Sequence, residues 1–304
     1  MHGPRHPTSR SSKSSPKSCD TCAILVTFNP DAGFPERLRR LLSQFPGVFV
    51  IDNASSIALD AMLRDAEGEG RIHLLRNREN LGIAKALNRG LEEASNAGFT
   101  WAVTFDQDTT IFENLLDALL EAAHVAGAGD VLVGANYFDM HRNRIARHVH
   151  GSGREPCPRK TLITSGMLLP IRFALRIGGF REDYFIDSVD HEFCLRAAAN
   201  DARVLMTREP LMEHRIGQPG VGMRCTLALS SNHPPMRKYY IARNTLLTVR
   251  EYAWVHPAWA LRQLSRLAAE MLSIACFESD RKPKIAAFTR GLRDGITNRG
   301  GRAP

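Results

Sequence analysis

AILVTFNPDAGFPERLRRLLSQFPGVFVIDNASS, residues 23–56, decides the fold. Two short apolar runs, 23–28 and 48–52, flank a stretch near 35–45 with helical spacing, a β-α-β pattern. A third apolar run at 72–75 passes through Asn80-Leu81-Gly82 into a helix reaching about residue 97, and a fourth, 101–105, stops at Asp106. Strands apolar along their whole length and separated by helices belong to a mostly parallel, Rossmann-like sheet covered on both faces. Such sheets collect ligands at the carboxyl ends of their strands, where Thr27, Asp52 and Asp106 fall.

Downstream, the spacing predicts a helix over 112–126, a strand over 131–137, and a polar, basic loop or edge hairpin over 139–160. A short helix at 172–177 leads to Gly178-Gly179-Phe180, a helix from Val189 carries Asp190, Glu192 and Arg196, and a strand follows at 203–206. Residues 217–235, rich in Gly, Pro and Ser, have the composition of a loop placed where a lid would sit. Over 258–277, Leu261, Leu264, Ala268, Met271, Leu272 and Ala275 recur at helical spacing, and Ile285, Phe288, Leu292 and Ile296 form a second stripe.

At 304 residues the chain has room for one large α/β domain with a helical appendage, and the pattern divides it into a disordered basic tail (1–18), the main domain (19–250) and a basic helical end (251–304). The net charge of +8 is concentrated in two places: residues 1–18 and 281–304 together hold +10, so the middle is slightly acidic. That distribution argues against a nucleic-acid groove across the core. The basic, amphipathic C-terminal helices suit the surface of an anionic membrane, the core of the domain, or a second copy of the chain. No stretch approaches the roughly 20 apolar residues of a membrane span. Six scattered cysteines fit a reducing, cytoplasmic setting; Cys19 and Cys22 form an isolated C-x-x-C that runs into the first strand.

Asp106-Gln107-Asp108 puts two carboxylates on one turn, where mutual repulsion is relieved by a hard divalent cation such as Mg²⁺ or Mn²⁺ that also binds phosphate oxygens. Such a triplet is common in surface loops, and its place at the end of a buried strand is what singles it out. Asp52 either caps the next helix or serves a ligand. His214 is a surface histidine or a metal ligand. Asp187 and Asp190, at the head of a helix, either complement its dipole or supply a general base.

In order and spacing, VTFNP (26–30), VIDNASS (50–56), NRENLGIAKALNRG (77–90), TFDQDT (104–109), TSGMLLP (164–170), GGFREDYFIDSVDHEFCLR (178–196), EHRIG (213–217) and RKYYIARN (237–244) resemble glycosyltransferase family 2, of the inverting GT-A class, and within it the bacterial rhamnosyltransferases. The resemblance implies that Thr27 and Asp52 border the nucleotide, that Asn80 and Gly82 shape the nucleotide-sugar pocket with Gln107, and that Asp106 and Asp108 hold the metal with His214 as a further ligand. It makes Asp190 the base, with Asp187 as competitor because Val189 stands where the family commonly has an acid. Ser165 would lie beside the sugar, and Arg243 would assist the departing diphosphate.

The implied reaction moves a sugar, L-rhamnose from dTDP-rhamnose, to a hydroxyl of a surface polysaccharide or lipid-linked glycan at the inner membrane face. Another nucleotide sugar, or a catalytically silent sugar-nucleotide-binding module, are the alternatives at this point.

Overall fold

The computed structural model describes residues 15–57, 59–66, 70–140, 143–146, 155–214 and 232–303. The lid expected at 217–235 and the basic tail at 1–18 fall mostly outside these residues.

The first half of the chain is the alternation read from the sequence: β1 (Thr21–Thr27), α1 (Phe34–Leu42), β2 (Val48–Asp52), α2 (Leu59–Asp65), β3 (Ile72–Arg76), α3 (Ile83–Asn96) and β4 (Trp101–Asp106). β3, β2, β1 and β4 lie side by side, all parallel. Every residue of β1 and β2 is buried. In β1, Cys22, Ile24 and Val26 face one apolar cluster while Ala23 and Leu25 face the other, so the strand pairs with cores on both sides. Cys22 is thus a core residue, whose burial pushes its thiol far above the usual range, and it does not pair with exposed Cys19.

After β5 (Thr110–Ile111) and α4 (Leu115–Ala126), the chain adds β6 (Val131–Asp139), β7 (Arg144–Ile145) and β8 (Cys157–Pro158). β9 (Met167–Pro170), the TSGMLLP segment, inserts antiparallel between β4 and β6. α5 (Ile171–Arg176) and α6 (Val189–Ala199) cover the face shared with α3, and β10 (Arg203–His214) runs parallel to β6. The sheet is an α/β layer whose path is β3-β2-β1-β4-β9-β6-β10-β5.

β10 is far longer than the strand expected at 203–206. It continues through the polar run Thr207-Arg208-Glu209-Pro210 by shifting register against β6 on either side of Pro210, a residue with no N–H to give the ladder. That continuation carries His214 to the carboxyl end of the sheet.

Among the described residues three helices follow: α7 (Pro235–Tyr252), α8 (Pro257–Phe277) and α9 (Arg281–Ile296). α9 packs closely on α7. A Cβ on Gly291 would stand 2.3 Å from the Tyr239 carbonyl oxygen, and one on Gly295 2.9 Å from that of Arg243. A buried ionic cluster pins the same region: Lys238 Nζ donates to Glu270 and, at 2.5 Å, to Glu278, and Lys284 Nζ donates to Glu278 at 2.9 Å. Among the described residues no helix is long and apolar enough to cross a membrane.

Candidate active site

At the carboxyl end of the sheet lies a crevice of about 650 Å³, walled by the strand ends, the segment Phe185–Ser188, the start of α6 and one edge of α8. β4 delivers Asp106 and β10 delivers His214, from strands far apart in sequence. His214 Nε2 lies 3.8 Å from Asp106 Oδ2, and its Nδ1 3.7 Å from Asp108 Oδ1. One ligand atom from each of Asp106, Asp108 and His214 falls within 4.8 Å of the others. Two hard carboxylates and an imidazole on an open crevice suit Mg²⁺ or Mn²⁺.

The imidazole is held by a relay. The Asp106 backbone N–H donates to Ser165 Oγ at 3.3 Å, Ser165 and Thr109 hydroxyls share a 2.6 Å hydrogen bond, and Thr109 Oγ1 lies 3.0 Å from His214 Nδ1. Tyr137 packs edge-on against the ring. With Nδ1 engaged by Thr109, Nε2 is left facing the Asp106 carboxylate, the kind of hydrogen bond that fixes a histidine ligand's tautomer. Ser165, fully buried, belongs to this relay.

Asp106 titrates at about 6, well above an ordinary carboxylate. Desolvation within the crevice is the main cause; the neighbouring charges of Asp108 and Asp190 push the same way, and His214 and Arg237 oppose them. Such an acidic site asks for a cation.

The nucleotide-side residues are braced by one another. Asp52 accepts hydrogen bonds from Thr27 Oγ1 at 3.3 Å and Ser55 Oγ at 2.5 Å, and is only 3% exposed. Thr27 faces the crevice, and so does its neighbour in the site Asn53. Asn53 Oδ1 accepts from Asn77 Nδ2 and the Leu81 N–H, while its Nδ2 donates to the Gly82 carbonyl, so this amide shapes the turn bearing Asn80 and Gly82. Gly82 has φ +83°, and a Cβ there would meet the Phe185 carbonyl oxygen at 2.5 Å. Gln107 lines the crevice, but its amide makes a reciprocal pair with the Phe28 backbone, at 2.7 and 3.1 Å, that ties the β1 and β4 loops together.

The two candidate bases differ sharply. Asp187 is gripped by Arg237, whose Nε and Nη2 donate to its carboxylate at 3.1 Å. Burial pushes the Asp187 carboxyl up and Arg237 pulls it back. Asp190, in the first turn of α6, faces the crevice and accepts the His191 N–H at 2.8 Å.

Arg243 stands elsewhere than expected. It is fully buried behind the crevice, donating to the carbonyls of Asp183, Tyr184 and Gly301. The arginine of RKYYIARN that faces the crevice is Arg237. The motif offered two arginines, and only the helical phase of α7 separates them. On α8, Gln263, Arg266, Leu267 and Glu270 form the wall opposite the strand ends.

Comparison with known proteins bears on the family and the fold. The family model for Glycosyl transferase family 2 matches residues 22–187. The dTDP-rhamnosyl transferase RfbF of Shigella flexneri is 30% identical over 240 residues, spanning 75% of this chain and 79% of that protein. Among solved structures, a mannosyltransferase of Pyrobaculum calidifontis in complex with GDP-Man and Mn²⁺ superposes with a TM-score of 0.55 at 16% identity, covering 92% of this chain and 87% of that one. S. aureus TarS in complex with UDP-GlcNAc gives 0.52 at 14% identity, covering 91% and 92%. At these identities the solved structures speak for the GT-A fold.

Proposed function

Because this chain belongs to glycosyl transferase family 2 and is a rhamnosyltransferase-like glycosyltransferase, we propose that it transfers L-rhamnose from dTDP-rhamnose, with inversion, to a hydroxyl of a surface glycan or its lipid-linked precursor. The observation that carries the reaction type is the meeting, in one crevice, of the Asp106-Asp108-His214 cluster with Asp190. The rhamnosyl donor is supported by the likeness to the Shigella enzyme.

Asp106, Asp108 and His214 would hold a divalent cation, which when bound neutralises charge on the leaving diphosphate. Thr27, Asp52 and Asn53 would receive the base and ribose, and Asn80 with Gly82 would border the sugar. Asp190 would take the proton of the acceptor hydroxyl as its oxygen attacks the anomeric carbon from the face opposite the diphosphate; that bond forms as the carbon–phosphate-oxygen bond breaks. Arg237 lines the crevice within electrostatic reach of Asp106 and Asp108, and would face the diphosphate.

Nucleoside diphosphate release measured with Mn²⁺ and Mg²⁺ across dTDP-rhamnose, UDP-GlcNAc and GDP-mannose tests the reading. We expect kcat/KM at least about tenfold higher for dTDP-rhamnose, the scale of about 1.4 kcal/mol of differential binding. Preference for another donor overturns the rhamnosyl assignment, and no turnover with any donor overturns transfer.

The membrane side of the proposal rests on α8. Trp254 and Val255 just before it, and Leu261, Leu264 and Leu272 along it, are exposed, Trp254 by 94%. At 100° per residue the three leucines share one face, Arg262 comes next around the helix, and Arg266 follows on the crevice edge. The helix's one acid, Glu270, is turned inward to Lys238. An apolar stripe bordered by arginines matches an anionic bilayer, with the crevice opening at headgroup level. Leu261→Ser/Leu264→Ser/Leu272→Ser should cut cosedimentation with phosphatidylglycerol vesicles at least about tenfold. Unchanged vesicle binding, or a wild-type dimer that the triple variant dissolves, assigns the stripe to protein packing.

A further inference from the structure

The segment between Gly179 and α6 presents Asp190 to the crevice, and its backbone is costly. Phe185, Asp187 and Ser188 have φ of +63°, +65° and +60°, all left-handed and none glycine. Each such residue costs about 1–2 kcal/mol against the ordinary conformations. The segment stands on the crevice wall, two residues before Asp190.

Five successive carbonyls of this segment each have a donor. Asp183 O accepts from Arg243 Nη2 at 2.7 Å and from the Gly301 N–H at 2.8 Å. Tyr184 O accepts from Asn244 Nδ2 at 2.8 Å, Phe185 O from the Ile83 N–H at 2.7 Å, and Ile186 O and Asp187 O again from Asn244 Nδ2 at 2.7 and 2.9 Å. The two N–H groups of the Asn244 amide are shared among these three carbonyl oxygens while its Oδ1 accepts from Arg243 Nε at 2.9 Å, which fixes its NH₂ toward the segment. Arg243 and Asn244 are both fully buried, and neither lines the crevice. Phe185 also stacks on Tyr240, with centroids 5.1 Å apart.

We infer that Arg243 and Asn244, the last two residues of RKYYIARN, are positioning residues: they clamp residues 183–187 in the left-handed path that aims Asp190 at the Asp106-Asp108-His214 cluster. The role of this motif is then to lend α7 to the geometry of a base that lies more than fifty residues earlier in the chain. The inference rests on Asp190 being the base only for its effect on rate; the clamp itself is a statement about the segment's backbone.

Two measurements on Asn244→Ala separate the parts. Amide hydrogen exchange in residues 183–190 should accelerate at least about tenfold, while β1 and β4 keep their protection. The kcat for transfer should fall about 100-fold, the scale of a roughly 1 Å misplacement, with the donor KM within about twofold of wild type. Adding Ser188→Gly removes one left-handed cost and should recover at least about fivefold in kcat, which a merely destabilised core would not do. Arg243→Lys, which keeps the buried charge but not the fork of donors, is the parallel variant, and should shift exchange and kcat in the same directions. All are compared at a temperature where melting curves show the chain folded. Unchanged exchange in 183–190 overturns the clamp. Accelerated exchange with unchanged kcat leaves the segment held as described but overturns its service to Asp190.

Discussion

Asp190→Asn is expected to lower kcat for sugar transfer by about 10³-fold while donor affinity and Mn²⁺ affinity stay within about twofold of wild type. The amide keeps the size of the carboxylate and can still accept the His191 N–H, so the first turn of α6 is preserved. What it loses is the ability to take a proton from the acceptor hydroxyl, a contribution typically worth about 10²–10⁴-fold. Asp187 has a different place. Both of its oxygens lie within hydrogen-bonding reach of the Arg237 guanidinium, and the segment it sits in is bound through its backbone to Asn244. Asp187→Asn should therefore cost less than about tenfold in kcat. Nucleoside diphosphate release, with calorimetry for donor and metal binding, decides between them. A larger loss at Asp187 than at Asp190 transfers the role of base to Asp187, and weakened donor binding in Asp190→Asn would show that the residue holds substrate instead.

How far this site was legible in the chain depends on how each residue reaches it. Asp106 and Asp108 could be read because an apolar strand runs straight into them, and position at a strand end is a local property of the sequence. Asp190 was legible for a similar reason, at the head of a helix. His214 was marked through the order of motifs alone: the polar run 207–210 hides the continuation of β10, and only the pairing with β6, which tolerates Pro210 at a register shift, shows how it arrives. Arg237 and Arg243 could not be told apart, because both belong to one motif and the choice lies in which face of α7 meets the sheet. Asn53 and Thr109 carry no mark of their own in the sequence, since their work is to hydrogen-bond other site residues distant in sequence. The fold was more readable than the site: β-α-β periodicity repeats along the chain. The antiparallel insertion of β9 left no periodic mark, as a four-residue strand is too short to carry one.

Removing the metal should have the second large effect, and its pH dependence follows from Asp106. Asp108→Asn, or chelation of the wild type, should lower kcat/KM by about 10³-fold, equivalent to about 4 kcal/mol of lost charge stabilisation on the diphosphate. In the metal-free chain the folded Asp106 carboxyl titrates at about 6, above its unfolded value of 3.8, so the fold holds that proton more tightly than the unfolded chain does. Stability contributed by this group is then fully present below about pH 4 and is lost as the pH rises through about 6. A cation needs the deprotonated carboxylate, so Mn²⁺ affinity should fall by up to about tenfold per pH unit below pH 6. Melting curves with and without Mn²⁺ at pH 5 and pH 7.5 make the two effects visible together. Mn²⁺ at about 100 times its Kd should stabilise the wild type by about 2.7 kcal/mol at pH 7.5 and much less at pH 5. Asp108→Asn and His214→Ala should abolish most of that gain. An equal gain at both pH values would mean that the cation binds away from Asp106, and a gain that survives both substitutions would remove this cluster as the metal site.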